Sequence, residues 1–482
     1  MSPPLSTGVS GLDEVLGGGI RPGAMIVLAG APGTGKTILG QQICFANATL
    51  DRHAVYYTTL SEPHTKVVEH LEPFAFYAAD SLGPLVEYLH LGELIRQDDA
   101  GGLAAVVSEI VRKVALEHPS VVVVDSAKVL RDFAGEHDLR GALYDLTSRL
   151  AHFDTALVLI GEYSGPDMDT GIEFALADGT VELAYEFREP IDRRWLRVRK
   201  MRGRKHLEGK HTFRIGGRGL EVFPRIETVD LPGPLAISGR IGSGVTGLDP
   251  LMGGGISGGE ATVLVGPPGV GKTIFCLGFV AEGLARGEEC LYITFQDTGD
   301  QLARMAAGFG WDFTGAVARG QLTIHHIPLG ELDLDLLAAH VRDYLATGSI
   351  RRVVIDSLAE MVDAVREAAR FPAYARGMIG LIRGAGASVI ITSETTTLGP
   401  PEDKAGSVMF LFHNLVLLRY IESGSSFTRA LSVLKMRRSK HDTRVHELAI
   451  GPTGMAVVRP LDDVTGTLGW TALRTQRPAH PE

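Results

Sequence analysis

Apolar residues along this chain come in short unbroken runs separated by stretches long enough for helices. Ala24-Met25-Ile26-Val27-Leu28-Ala29 is the first such run, followed by Ala54–Thr58, Val121–Val124 and Ala156–Ile160. The pattern then returns at Ala261–Val265, Cys290–Phe295, Val353–Ile355 and Ser388–Ile391. Continuous apolar strands alternating with helical segments predict an α/β fold with a mainly parallel sheet, covered by helices on both faces. Each copy then changes character. Thr180–Tyr185, Trp195–Val198 and a segment running from Thr212–Ile215 to Val222–Phe223 read as hairpin-like strands, and so do Asn414–Tyr420, Thr428–Leu434 and Arg444–Ile450. A C-terminal antiparallel extension is expected on each sheet.

The first apolar run leads into Gly30, Ala31, Pro32, Gly33, Thr34, Gly35, Lys36 and Thr37, and then into an apolar helical segment. This is G-x-x-x-x-G-K-[ST] in its strand–loop–helix setting. Glycines let backbone N–H groups turn inward onto phosphate oxygens, and the helix N-terminus adds partial positive charge. The lysine reaches the β- and γ-phosphates, and the threonine hydroxyl suits Mg²⁺. Gly266, Pro267, Pro268, Gly269, Val270, Gly271, Lys272 and Thr273 repeat the pattern. Lys272 follows Lys36 by 236 residues (272 − 36), and Gly244 follows Gly8 by the same interval (244 − 8). The chain is therefore an internal duplication of whole domains rather than a solenoid.

The boundaries follow from composition. The first domain is expected over residues 1–228, a Pro/Gly-containing linker over 229–240, the second domain over 241–460, and a polar tail without fixed structure over 461–482. The 482 residues carry a formal net charge of −10, which disfavours non-specific binding to nucleic acid or anionic membrane. Cys44, Cys276 and Cys290 form no C-x-x-C, so no zinc framework or disulfide scaffold is expected, and a reducing cytoplasm suits the chain. No secretory leader is visible, and no apolar run approaches the ~18–20 residues that cross a bilayer.

A phosphate loop of this kind needs a carboxylate at a nearby strand end for the Mg²⁺ shell. Val121-Val122-Val123-Val124-Asp125 and Val353-Val354-Ile355-Asp356 supply one in each copy. With Thr37 and Thr273, Asp125 and Asp356 are the expected metal ligands. Hydrolysis also needs a base or a water-orienting group. The strand after the loop's helix ends at Ser61-Glu62 in the first copy and Gln296-Asp297 in the second, so Glu62 and Asp297 are the candidate catalytic acids.

The chain resembles the KaiC branch of the RecA-like ATPases over nearly its whole length, in both copies. The resemblance rests on the Gly8-Val9-Ser10-Gly11-Leu12-Asp13 and Gly244-Val245-Thr246-Gly247-Leu248-Asp249 openings, the phosphate loops, the Asp-Ser strand ends, Ser393-Glu394, and a K-x-R followed by histidine. It implies two tandem RecA-like domains, ATP with Mg²⁺, and six-membered rings with ATP at subunit boundaries. It also implies that Lys200 and Arg202, and Lys435 and Arg437, act in trans on the neighbour's nucleotide. A guanidinium so placed is worth ~10³–10⁵ in rate. The basic run Arg193–Lys205 leaves a solvated face or a nucleic-acid contact open as another reading.

Departures from the family pattern qualify this. The family carries Glu-Glu after the second strand; here stand Leu60-Ser61-Glu62 and Gln296-Asp297. The C-terminal site is therefore expected to bind ATP but to turn it over slowly, with the N-terminal domain the main hydrolase. The positions matching the family's autophosphorylated Ser-Thr pair are Met409 and Phe410, with Ser407 the nearest hydroxyl, so phosphorylation there is not expected. The resulting expectation is a cytoplasmic, two-tiered homohexameric ATPase with a regulatory or signalling output and an unidentified protein partner. A single-stranded nucleic-acid motor, a serine/threonine kinase acting on a partner, and a scaffold with negligible turnover remain as alternatives.

Overall fold

The computed structural model of the chain describes residues 3–59, 64–91, 102–128, 136–187, 192–233, 235, 239–365, 368–394, 406–423, 426–437, 439–461, 464–465 and 471–474. They divide into two compact units, Met1–Val229 and Asp230–Glu482.

The first unit holds a nine-stranded sheet. Its strands are β1 (Met25–Gly30), β2 (Ala54–Thr58), β3 (Val86–His90), β4 (Val121–Asp125), β5 (Ala156–Glu162), β6 (Gly179–Glu186), β7 (Arg193–Met201), β8 (His211–Gly216) and β9 (Gly219–Phe223). Their order is β3-β2-β4-β5-β1-β6-β7-β8-β9. Pairing is parallel from β3 to β6 and antiparallel from there to β9. The parallel strands read as unbroken apolar runs because both faces are buried. On β1, Ile26 and Leu28 join Leu39 and Ile43 of the helix Lys36–Asn47. Met25, Val27 and Ala29, on the opposite face, join Val106 and Ile110 of the helix Gly102–Glu117 and Leu143, Leu146 and Leu150 of the helix Glu136–His152.

The second unit opens with a short antiparallel pair, β10 (Arg240–Ile241) with β11 (Ile256–Ser257). The main strands are β12 (Ala261–Val265), β13 (Glu289–Thr294), β14 (Leu322–His326), β15 (Ile350–Asp356), β16 (Ser388–Ser393), β17 (Asn414–Ser423), β18 (Ser426–Met436), β19 (His446–Gly451) and β20 (Gly454–Pro460). Their order, β14-β13-β15-β16-β12-β17-β18-β19-β20, repeats that of the first unit. Phe275, Cys276 and Phe279 of the helix Lys272–Ala285 pack on Tyr292, Val354 and Ile390 of the sheet.

One expectation changes. Within the stretch read as a tail lie β21 (Val464–Thr465) and β22 (Thr471–Arg474), and β22 runs parallel to Tyr420–Glu422 of β17. The tail's polarity hid a strand too short to show periodicity, formed on the free backbone edge at the far end of β17.

Arg352, fully buried on β15, is the least expected core residue. Its Nε donates to Glu288 at 2.5 Å, its Nη1 donates to the carbonyls of Gly242 and Phe279 at 2.8 and 2.9 Å, and its guanidinium lies 4.6 Å from the Phe279 ring centroid. The three cysteines are free and buried. Among the described residues, no helix is long and apolar enough to cross a membrane.

Candidate active sites

Each phosphate loop turns on left-handed glycines. Gly33 and Gly35 have φ of 74° and 97°, and Gly269 and Gly271 have 75° and 113°. The φ of 97° strains any other residue at Gly35, and a Cβ there, 2.6 Å from Ile215 Cδ1, would also push that side chain aside. The turn brings Lys36 and Lys272 to the first position of their helices, each with little exposed surface (6% and 7%).

In the N-terminal site the Lys36 ammonium donates to the Ala31 carbonyl at 2.7 Å. The Thr37 hydroxyl donates to Asp125 Oδ2 at 2.8 Å, and the Tyr56 hydroxyl donates to the same oxygen at 2.7 Å. β2 lies beside β4, so Tyr56 stands in the sheet directly under the Asp125 carboxylate. Burial pushes the Asp125 carboxyl up from its ordinary value, opposed by the hydrogen bonds from Tyr56 and Thr37. Burial likewise pushes the Lys36 ammonium down, opposed by the charges of Glu162 and Asp125. These groups line a cavity of about 560 Å³ that also takes in Glu162 and Arg194.

The C-terminal site repeats the arrangement in a smaller cavity of about 370 Å³. Thr273 and Tyr292 each donate to Asp356 Oδ2 at 3.0 Å, and Thr392 donates to Oδ1 at 2.5 Å. Burial raises the Asp356 carboxyl against these three donors. Lys272 differs from Lys36. Besides the Gly266 and Pro267 carbonyls, at 2.9 and 3.1 Å, it holds Glu394 at 2.8 Å. Each of these aspartates is joined to the following serine by a cis peptide bond, Asp125-Ser126 and Asp356-Ser357.

The structure thus gathers both phosphate loops, Thr37 with Asp125, and Thr273 with Asp356. Asp297 lines the C-terminal cavity, while Glu62 lies outside the described residues. The K-x-R residues do not line the cavity of their own domain. Lys200 donates to the carbonyls of Phe174 and Ala175, both at 2.9 Å, and Arg202 donates to those of Ala175 and Leu176, at 2.9 and 3.3 Å. Lys435 donates to Phe412 O at 2.7 Å, and Arg437 to Phe410 O at 3.2 Å. Burial lowers the Lys200 and Lys435 ammonium groups, and the adjacent Arg202 and Arg437 lower them further.

Sequence reasoning passed over Tyr56 and Tyr292, Glu162, and Glu360. The tyrosines stand in the same register as the phosphate loops, 236 residues apart (292 − 56), so an alignment of the two copies contained the signal. Glu394 entered only as part of a family resemblance, without a role. Glu360 has no acidic counterpart in the first copy, where Val129 holds the fourth place after Asp125.

Comparison with known proteins agrees with this geometry. The family model described as "ATPase: KaiC" matches twice, over residues 5–227 and 241–462. The chain is 26% identical to the circadian clock oscillator protein KaiC of a Picosynechococcus strain, over 94% of this chain and 89% of that protein. It is 27% identical to the circadian clock protein KaiC3 of a Synechocystis strain, over 98% of this chain and 95% of the relative. Two family matches that together span most of the sequence, each containing a complete phosphate loop with its strand-end aspartate, make this chain a member of the KaiC ATPase family with two ATPase domains in tandem.

Proposed function

We propose that the protein is a Mg²⁺-dependent, ATP-hydrolysing regulatory protein that works as a two-tiered ring of six subunits, with ATP at the subunit boundaries. The observation that carries this reading is the repeated Lys–Thr–Asp–Tyr arrangement: a buried lysine at a helix N-terminus beside a half-buried carboxylate held by a threonine and a tyrosine. The residues fit the metal. A threonine hydroxyl and a carboxylate are hard oxygen donors of the kind Mg²⁺ takes, and both aspartates are half-buried at their strand ends, with no cationic ion pair among the described residues. Thr37 with Asp125, and Thr273 with Asp356, would hold it. Bound there, Mg²⁺ would supply positive charge to offset that of the phosphates.

The chain's own residues do the rest. Loop N–H groups cradle the phosphates, and Lys36 or Lys272 turns from its carbonyl partners onto them. Glu62 and Asp297 orient the attacking water. Lys200 with Arg202, and Lys435 with Arg437, lie outside their own cavities, as side chains serving a neighbouring subunit would. The N-terminal site is the faster hydrolase: its cavity is larger and its lysine rests only on Ala31 O and, at 3.5 Å, Thr34 Oγ1, whereas Lys272 must first release Glu394.

The nucleic-acid alternative loses support from the basic run itself. Arg197 is paired with Glu182 at 2.9 Å and Arg199 with Asp169 at 2.7 Å, so these charges are already neutralised within the domain. Autophosphorylation of the family type is not proposed, because Met409 and Phe410 carry no hydroxyl. A cytoplasmic location and a protein partner complete the reading.

The deciding experiment measures phosphate release alongside particle mass with ATP, with ADP and without nucleotide. Mg²⁺-dependent release from an ATP-assembled ring is expected. A monomer hydrolysing at full rate, or stimulation by single-stranded DNA at stated salt, overturns the reading.

A further inference from the structure

A fourth carboxylate lines the C-terminal cavity beside Asp297, Asp356 and Glu394. Glu360 stands in the first turn of the helix Leu358–Ala364, four residues after Asp356, and is only 8% exposed. Its Oε1 accepts from Gln296 Nε2 at 2.5 Å, and its Oε2 accepts from the Ser357 hydroxyl. No lysine, arginine or histidine pairs with it among the described residues. Burying a carboxylate without a cation is costly, and the Asp356 carboxylate in the same wall makes it more so. An apolar side chain of similar volume would fill this place at less cost. Packing therefore does not account for Glu360.

Gln296 supplies the other half of the argument. It lies two residues past the end of β13, where the phosphate-loop fold brings its water-activating group, and an amide cannot take up a proton. Its amide nitrogen instead holds Glu360. Each Glu360 oxygen uses one acceptor position on its donor and keeps another for water. Glu394 is differently placed, tied to Lys272 and 46% exposed.

We propose that Glu360 is the general base of the C-terminal site, delivered by the helix after the metal-side strand and held in one rotamer by Gln296 and Ser357. This rests on the reading of that cavity as an ATP-hydrolysing site. The water oxygen bonds to the γ-phosphorus, and the bond from that phosphorus to the β,γ-bridging oxygen breaks. The electron pair leaves on the β-phosphate of ADP. The water proton passes to the Glu360 carboxylate and from there to the phosphate product.

The test uses the full chain carrying Lys36→Ala, so that the C-terminal site is read alone, with Glu360→Gln, Glu360→Ala and Asp297→Asn added singly. Three quantities are measured: single-turnover phosphate release, equilibrium affinity for a fluorescent non-hydrolysable ATP analogue, and the ATP-to-ADP ratio of nucleotide retained after incubation. Glu360→Gln is expected to slow release about 10²-fold or more, in the range of a lost general base, with analogue affinity kept and ATP retained in place of ADP. Added formate is expected to restore part of the rate of Glu360→Ala and none of that of Glu360→Gln. Release from Glu360→Gln at the parent's rate overturns the proposal. So does affinity falling in step with rate, or a larger loss in Asp297→Asn than in Glu360→Gln. A Lys36→Ala parent that binds the analogue but releases no phosphate overturns the hydrolytic reading of the site as well, and it does so before Glu360 is touched.

Discussion

The Tyr56 hydroxyl donates to Asp125 Oδ2 at 2.7 Å, and Tyr292 makes the same bond to Asp356 at 3.0 Å in the second domain. Each phenol is fully buried, and burial pushes its pKa well up, so it stays a donor at any physiological pH. Such a bond to a buried carboxylate contributes roughly 1.5–3 kcal/mol. Tyr56→Phe and Tyr292→Phe should therefore loosen the carboxylate proposed to hold Mg²⁺. We expect the Mg²⁺ concentration for half-maximal nucleotide binding to rise about tenfold at the altered site, from that free-energy range, with the fold intact. Mg²⁺ titrations of each variant check this.

The K-x-R residues give a complementation test. Lys36→Ala removes the phosphate contact of a subunit's own N-terminal site, and Arg202→Ala removes the side chain proposed to reach its neighbour. Each variant alone should lose ~10³-fold or more of N-terminal hydrolysis. Mixed rings should regain activity, because some boundaries then combine an intact loop with an intact arginine. Absence of any gain on mixing would place Arg202 in its own subunit's site.

Arg352 ties strand, helix and chain entry together through Glu288, Phe279 O and Gly242 O. Removing one partner of a buried ion pair typically costs about 3–5 kcal/mol. Arg352→Ala should destabilise the C-terminal domain on that scale in denaturant unfolding, while Arg352→Met loses less by keeping the packing against Phe279. The N-terminal domain's transition should not move.

Acid should act on the second domain through His325. Burial lowers its pKa from the ordinary 6.5, and neighbouring His340 and His326 lower it further. The ring contacts His340 at 3.2 Å and the Tyr344 hydroxyl at 3.0 Å. A histidine with a depressed folded pKa binds protons more readily when unfolded. Its contribution to stability is intact above about pH 6.5 and is lost as pH falls from there through the folded value. Hydrogen exchange of the helix Leu334–Leu345 should speed up between neutral pH and the acid side of that window, beyond the intrinsic pH effect. His325→Gln should flatten the dependence.

Much of this architecture is legible in the sequence. Buried parallel strands leave unbroken apolar runs, and the phosphate loops announce themselves through spacing. What stayed hidden depends on which strands become neighbours. Tyr56 looks like strand filler until β2 is set beside β4. Arg352, one of two successive arginines, looks solvated until alternation turns it inward on β15. Glu360 sits on a short helix, and Val129 takes its place in the first copy, so duplication could not point to it. Thr471–Arg474 is too brief and polar to announce a strand.

In a lone chain, Lys200 and Arg202 rest on the Phe174, Ala175 and Leu176 carbonyls, at the end of a one-turn helix. To reach a phosphate next door they must abandon those oxygens. In the proposed ring, loading one pocket would then strip the cap from a helix in the adjacent molecule, so that occupancy of one site is felt at the next.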